Sequence, residues 1–222
     1  MKVINKLFLI VISFVIITSC EDIMDIHKVY IEQGEIIYAQ KPDSISFIAG
    51  KNRVLFKGWM YNAVNIKTLN ILWDNGVDSI SIPVSFNTGM DSIEVIIPDL
   101  PEKSYTFNVY STDNFGHRSL NLTNFGSSYG DIYTSSIIDR RIKSIGLTDK
   151  AGVIDWFSAP EGLIYNEVRY ELTNGEKLVV RVSDSIFTTS LSPRPASSTV
   201  LEYRSLYIPE EESVDTFYTE WV

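Results

Sequence analysis

Apolar residues recur at every second position along much of this chain, in short runs that polar and turn-forming residues interrupt every eight to twelve positions. Leu69, Ile71 and Trp73 alternate in this way, as do Tyr105, Phe107 and Val109. A period of two puts alternate side chains on one face of a strand, so the pattern predicts an all-β chain without helices. In the first half, candidate strands cover residues 35–39, 44–48, 53–60, 78–85 and 91–97. Residues 53–60 are apolar on both sides: Val54, Phe56 and Gly58 share one face, and Leu55, Lys57 and Trp59 share the other. A bulge near Gly58 would resolve which face turns inward.

Turn chemistry sharpens the picture. Asp74-Asn75-Gly76 predicts a tight hairpin, because Asn and Gly tolerate positive φ. Leu100 is followed five residues later by Tyr105, with Phe107 and Val109 at alternate positions beyond it. This segment resembles the tyrosine corner of fibronectin type III sandwiches, whose phenol hydroxyl ties an arch back to the upstream backbone. Residues 111–119, which include Asp113, Gly116 and His117, resemble the loop joining the last two strands of that fold.

A fainter second copy follows. Trp59 recurs as Trp156 at an offset of 97, Asn75-Gly76 as Asn174-Gly175 at 99, and Val84-Ser85 as Val182-Ser183 at 98. Nearly constant offsets point to tandem modules rather than one large sandwich. Where a second tyrosine corner would stand, Leu191 leads into an arch with Pro193 and Pro195, neither of which can donate to a ladder. Strands over residues 200–208 and 216–221 then complete the second copy. The fold expected is all-β: two tandem fibronectin type III/immunoglobulin-like β-sandwich modules, residues 30–141 with a linker and residues 142–222.

The first 29 residues read differently. Lys2 and Lys6 precede an apolar run over residues 7–17, relieved only by Ser13, and then Thr18, Ser19 and Cys20. That is the layout of a signal peptide over residues 1–19; a run of eleven residues falls short of the ~20 that a membrane-spanning helix needs. Ile17-Thr18-Ser19-Cys20 resembles the bacterial lipobox, which implies acylation of Cys20 and a membrane anchor through it. Cys20 is the only cysteine, so it has no disulfide partner within the chain. Residues 20–29 are expected to be a lipidated tether, and Glu21 and Asp22 resemble the surface-export signal of Bacteroidota lipoproteins. Without residues 1–19, 17 basic residues face 28 acidic ones, a net charge of −11. Such a surface repels nucleic acid, which is excluded as a partner.

Further motifs carry a family resemblance. Tyr129-Gly130 with Tyr133, Arg140 and Ile142, then Tyr203-Arg204-Ser205 with Tyr207 and Pro209, and finally Asp215-Thr216-Phe217, resemble a Bacteroidota lipoprotein family catalogued as domain of unknown function 4998. The resemblance covers nearly all of the chain after Cys20. It implies an outer-membrane location and supplies no catalytic residues.

Candidate chemistry is sparse. Asp-Ser-Ile occurs four times, against about 0.2 expected from composition. One reading is a device in which Asp-Ser ends a turn and Ile opens a strand. The other is a resemblance to an O-glycosylation motif, which makes Ser44, Ser79, Ser92 and Ser185 candidate sites. His117 with Asp113 is the only His-carboxylate spacing suited to a Ser-His-Asp arrangement, and a common surface loop explains it better. Glu210, Glu211 and Glu212 lie side by side, whereas glycoside cleavage needs two carboxyls facing across a cleft. No metal or cofactor motif occurs. Aromatic rings can stack on sugar faces, and Trp59, Tyr61, Tyr129, Tyr133 and Trp221 are the candidates; Trp73 and Trp156 fit core positions. The expectation is a non-enzymatic outer-membrane lipoprotein at the cell surface, or on the periplasmic face, that captures polysaccharide. The alternative is a structural spacer or adhesin-type subunit with a protein partner.

Overall fold

The computed structural model describes residues 37–197 and 199–222. Cys20, the signal peptide and the tether lie outside the described residues. Ala39–Val222 form one compact unit.

Seven strands build its first half: β1 (Ser44–Lys51), β2 (Val54–Tyr61), β3 (Ile66–Trp73), β4 (Asp78–Pro83), β5 (Met90–Ile97), β6 (Lys103–Asp113) and β7 (Leu122–Tyr129). Their lateral order is β4-β3-β6-β7-β1-β2-β5. The link between β7 and β1 is a short parallel pairing, Gly50 with Ser128 and Lys51 with Tyr129. The order therefore folds into two layers, β1-β2-β5 facing β4-β3-β6-β7. Seven more strands follow: β8 (Ile142–Leu147), β9 (Gly152–Trp156), β10 (Leu163–Glu171), β11 (Lys177–Ser183), β12 (Thr188–Leu191), β13 (Glu202–Tyr207) and β14 (Phe217–Tyr218). They form the sheets β12-β9-β8 and β11-β10-β13-β14. Strand for strand this repeats the first half, and it is the two-layer antiparallel arrangement of a fibronectin-type sandwich.

Alternation explains the first core. Tyr105, Phe107 and Val109 of β6 face inward, and the Phe107 ring stacks on Phe47 of β1 at 4.0 Å. Burying a phenylalanine side chain of this kind contributes about 1.5–3 kcal/mol. The β3–β4 hairpin turns through Asn75 at φ 58° and Gly76 at φ 83°, as its residues predict. The Tyr105 hydroxyl donates to the Pro101 carbonyl at 2.8 Å, which completes the tyrosine corner.

Three expectations need correction. No bulge forms at Gly58, which pairs in unbroken register with Ile45 and Ile93. Even-numbered residues of β2 simply face in, and Leu55, Lys57 and Trp59 lie half-buried on the outer face. Residues 37–39 carry no strand, and the first strand among the described residues begins at Ser44. Among the described residues there is one α-helix, α1 (Asp131–Ser136), six residues long, whose free N–H groups of Ile132 and Tyr133 donate to the Glu102 carboxylate at 2.7 and 2.8 Å. So short a helix carries no periodicity to read, and its cap comes from a distant loop.

The two tryptophans of the repeat are not equivalent. Trp156 is buried and donates from its indole to Thr189 at 3.0 Å, whereas Trp59 faces out. A one-residue change of register exchanges the two faces of a strand, and the tryptophan offset of 97 is one short of the 98 between Val84 and Val182.

Candidate functional site

Five of the family-like motif residues, Tyr129, Tyr133, Tyr207, Asp215 and Phe217, meet at the boundary between the sandwiches, while Tyr203 and Ile142 pack around Trp156 in the second. Tyr129 ends β7, and Gly130 follows at a point where a Cβ would lie 2.7 Å from Asn52 Oδ1 and 3.1 Å from Glu102 Oε2. A larger residue there would have to push the Asn52 or Glu102 side chain aside, and Glu102 is the one that caps α1. The helix presents Tyr133, whose ring meets Tyr129 at 5.2 Å and Phe217 of β14 at 4.9 Å, both edge to face. Leu163 and Tyr207 complete this cluster. The Tyr207 hydroxyl donates to the Ile138 carbonyl at 2.6 Å, and burial pushes its pKa up to about 12. Burial also raises the pKa of Tyr129, helped by the hydrogen bond it donates to Glu210 at 3.0 Å.

Asp215, just before β14, reaches back to the first sandwich. It accepts from Arg53 Nη2 at 2.6 Å and Nε at 2.8 Å, and from the Lys51 backbone N–H at 2.7 Å. The fork-on-carboxylate geometry is the strong form of an ion pair. These hydrogen bonds, led by those from Arg53, hold the Asp215 carboxyl below the usual carboxylate range. The adjacent Val214 N–H donates to the Ala49 carbonyl at 2.8 Å.

Arg140 is fully buried. Its Nε donates to the Phe157 carbonyl at 2.8 Å and its Nη1 to the Ser183 carbonyl at 3.3 Å, while its backbone N–H donates to Ser205 Oγ at 2.9 Å. Ser205 in turn donates to Asn166 at 2.9 Å. Desolvation lowers the Arg140 pKa, with Asp184 opposing it.

A second constellation covers the outer face of β11-β10-β13. Glu167 of β10, nearly buried, accepts from Arg204 at 2.7 Å on one neighbour and from Arg181 at 3.2 Å on the other. One row along, Arg169 grips Glu202 through two bonds of 2.6 and 2.7 Å. The Trp221 ring lies 4.2 Å from the Arg169 guanidinium and 4.7 Å from that of Arg204. Each carboxylate is already matched to a guanidinium, so the row is built to hold strands in register and offers no acid or base. Sequence reading missed it because its members lie on three strands.

Of the five candidate aromatics, the structure brings together Tyr129 and Tyr133, inside the boundary cluster. The arginines cover Trp221. Trp59 and Tyr61 lie two residues apart on the outer face of β2, and Tyr61 is exposed. Ser44, Ser79, Ser92 and Ser185 are all exposed, and Ser44 and Ser92 pair across the sheet with Trp59 from either side. The neighbouring aspartates have structural work: Asp43 accepts from the Tyr61 N–H at 2.6 Å, and Asp91 accepts from Asn87 and Ser92. His117 Nδ1 pairs with Asp113 at 2.9 Å, and Asp113 also accepts the N–H groups of Phe115 and His117. That is a loop brace. Among the described residues no three His, Cys, Asp or Glu side chains cluster to hold a metal, and no helix is long and apolar enough to cross a membrane.

Residues 20–217 match the family described as a domain of unknown function, number 4998. The chain belongs to this family. No curated protein matches it in sequence. Among solved structures, the chicken CNTN1 FN1–FN3 domains align at 11% identity and TM-score 0.46, over 83% of this chain and 63% of that one. A two-domain fibronectin type III segment of chicken tenascin aligns at 14% identity and TM-score 0.31, over 82% of this chain and 99% of that one. The chain thus spans under two thirds of the CNTN1 segment, and its own strand order, rather than these alignments, defines the fold.

Proposed function

We propose that this family member is a non-enzymatic structural and protein-interaction subunit: a stiff two-sandwich arm, held to the outer membrane through acylated Cys20 and displayed at the cell surface. The observation that carries this reading is the meeting of several family-like motif residues at the boundary between the sandwiches. Tyr129, Tyr133 and Phe217 pack there, and Asp215 clamps Arg53. Fibronectin-like modules joined by a bare linker move independently by default, whereas an apolar cluster plus a bidentate ion pair opposes that motion. Spin labels on β4 and β11 test the stiffness. A single narrow distance distribution that broadens in the Arg53→Ala/Asp215→Ala variant supports it, and a broad distribution in the native chain refutes it. For the anchor, a fatty-acid label should enter the native chain and be absent from Cys20→Ser. For the location, protease added to whole cells should cleave the chain.

Capture of polysaccharide is the second reading, favoured by Trp59 and Tyr61 on one exposed face. Native protein should be retarded in a polysaccharide gel and Trp59→Ala/Tyr61→Ala should not. Equal mobility of the two on every host and plant glycan would remove this reading.

A further inference from the structure

Strand edges distinguish one place on the molecule. β1 is flanked on both sides, by β2 and β7, whereas its counterpart β8 pairs, among the described residues, only with β9. The other edges are short or interrupted. β4 ends in Pro83, β5 carries Asp91 and Glu94, β11 carries Lys177 and Arg181, and β12 and β14 have four and two residues. Charge and proline are how sheets keep their edges from pairing with other chains. β8, Ile142-Lys143-Ser144-Ile145-Gly146-Leu147, has one charge and no proline. Ile145 is 59% exposed and Leu147 46%. Both border a groove of about 250 Å³ whose other walls include Leu191, Pro195 and Leu201.

The backbone direction of this edge follows from the turn beside it. The Thr148 N–H donates to the Ala151 carbonyl, toward β9. By alternation the backbone groups of Gly146 also point to β9, and those of Ile145 and Leu147 point away from it. An incoming antiparallel strand must therefore bond to Ile145 and Leu147.

We propose that the occupant is β8 of a second copy of this chain, paired antiparallel about a two-fold axis at Gly146. In this register Ile145 of each copy faces Leu147 of the other, as bonded pairs. Beyond these bonded pairs the same register brings Lys143, at the bulge that follows Ile142, alongside Asp149, the first residue of the turn after β8, so the one charge on the strand lies near its opposite at both ends. Gly146 meets Gly146 on the axis, in a non-bonded pair where Cα atoms come within about 4.5 Å and side chains crowd most. A Cβ on Gly146 would meet nothing within 4 Å in the single chain, so its own fold does not require glycine there. No other register that bonds Ile145 and Leu147 pairs Lys143 with Asp149. So short an interface is weak in solution, and a shared membrane anchor would raise its effective concentration.

A charge swap tests the register. The full chain in mild detergent should sediment as a monomer–dimer equilibrium, and Lys143→Asp should raise the dissociation constant about tenfold, because it sets two like-charge pairs across the axis. Asp149→Lys should do the same. The double variant Lys143→Asp/Asp149→Lys should return to within about threefold of native, since both pairs are restored reversed. All four positions altered by these swaps are exposed in the two copies, and unchanged circular dichroism and melting would show that folding is intact. A chain that stays monomeric at all concentrations overturns the proposal. So does a dimer that ignores the single swaps or is not rescued by the double one. Slowed hydrogen exchange at Ile145 and Leu147 in a monomer given an extended peptide would assign the edge to another occupant, and also overturns it.

Discussion

The two sandwiches share strand order but not the means of holding it. The first is closed: β7 reaches β1, the arch before β6 is tied by the Tyr105 hydroxyl, and a continuous apolar core runs from Ile45 to Val109. The second is open at β8, has two prolines where the arch would be tied, and has a smaller apolar cluster around Trp156. In place of the missing ties it carries polar devices of long sequence range: a buried arginine, a row of ion pairs across three strands, and a clamp onto its neighbour. One order of strands can thus be secured by local motifs or by distant side chains. The second way leaves an edge free.

Arg140 is the sharpest way to break this contrast. Arg140→Ala removes a buried side chain and leaves the Phe157 and Ser183 carbonyls without its donors, so a loss of about 3–5 kcal/mol is expected. Hydrogen exchange should accelerate in β10 and β13 well before β6. Equal acceleration in both sandwiches would show that they unfold as one cooperative unit and that the contrast is not energetic.

Asp215 comes next. Asp215→Ala removes a carboxylate that accepts three hydrogen bonds from the first sandwich, and about 1–3 kcal/mol is expected from chemical denaturation. The pH dependence carries a sign. Asp215 has a folded pKa below its unfolded value, so its contribution is present above the unfolded value of about 3.9 and is lost as pH falls through the folded one. Native and Asp215→Asn proteins should therefore converge in stability under strong acid. A difference that persisted unchanged would mean the clamp is not ionic.

Much of the first sandwich was legible because its determinants are local. Asp74-Asn75-Gly76 must turn, and Tyr105 lies four residues from the Pro101 carbonyl it binds. Tyr105→Phe should cost about 1 kcal/mol, the net worth of one hydrogen bond, and the second sandwich has no equivalent position to lose. What resisted reading was non-local. Glu102 caps a helix that begins 29 positions later, Asp215 meets Arg53 across 162, and Glu167 finds its arginines on two other strands. No window of sequence contains such pairs. Tyr129 and Tyr133 stood out as aromatics suited to stacking on a ligand, and the structure shows them packed edge to face on each other, with Phe217 against Tyr133. Aromatic side chains look the same in a chain whether they wait for a sugar or for a neighbouring strand.

The smallest effect probes that cluster from its buried end. Tyr207 ionises at about 12 in the folded chain against 10.0 for the ordinary phenol, because burial disfavours the phenolate. As pH rises past 10 the unfolded chain loses this proton first, so stability falls, and the loss grows until the folded pKa is reached. At pH 10 the difference amounts to only about 0.4 kcal/mol, and it approaches 1 kcal/mol half a unit higher. Other buried tyrosines add their own shares, so the quantity to measure is the gap between native protein and Tyr207→Phe. The variant starts lower, since the Ile138 carbonyl loses its donor, and the gap should narrow between pH 9 and 11 because phenylalanine has nothing to ionise. A gap that stays constant over that range would place water at the Tyr207 hydroxyl, and the boundary between the sandwiches would then be a wet contact rather than a packed one.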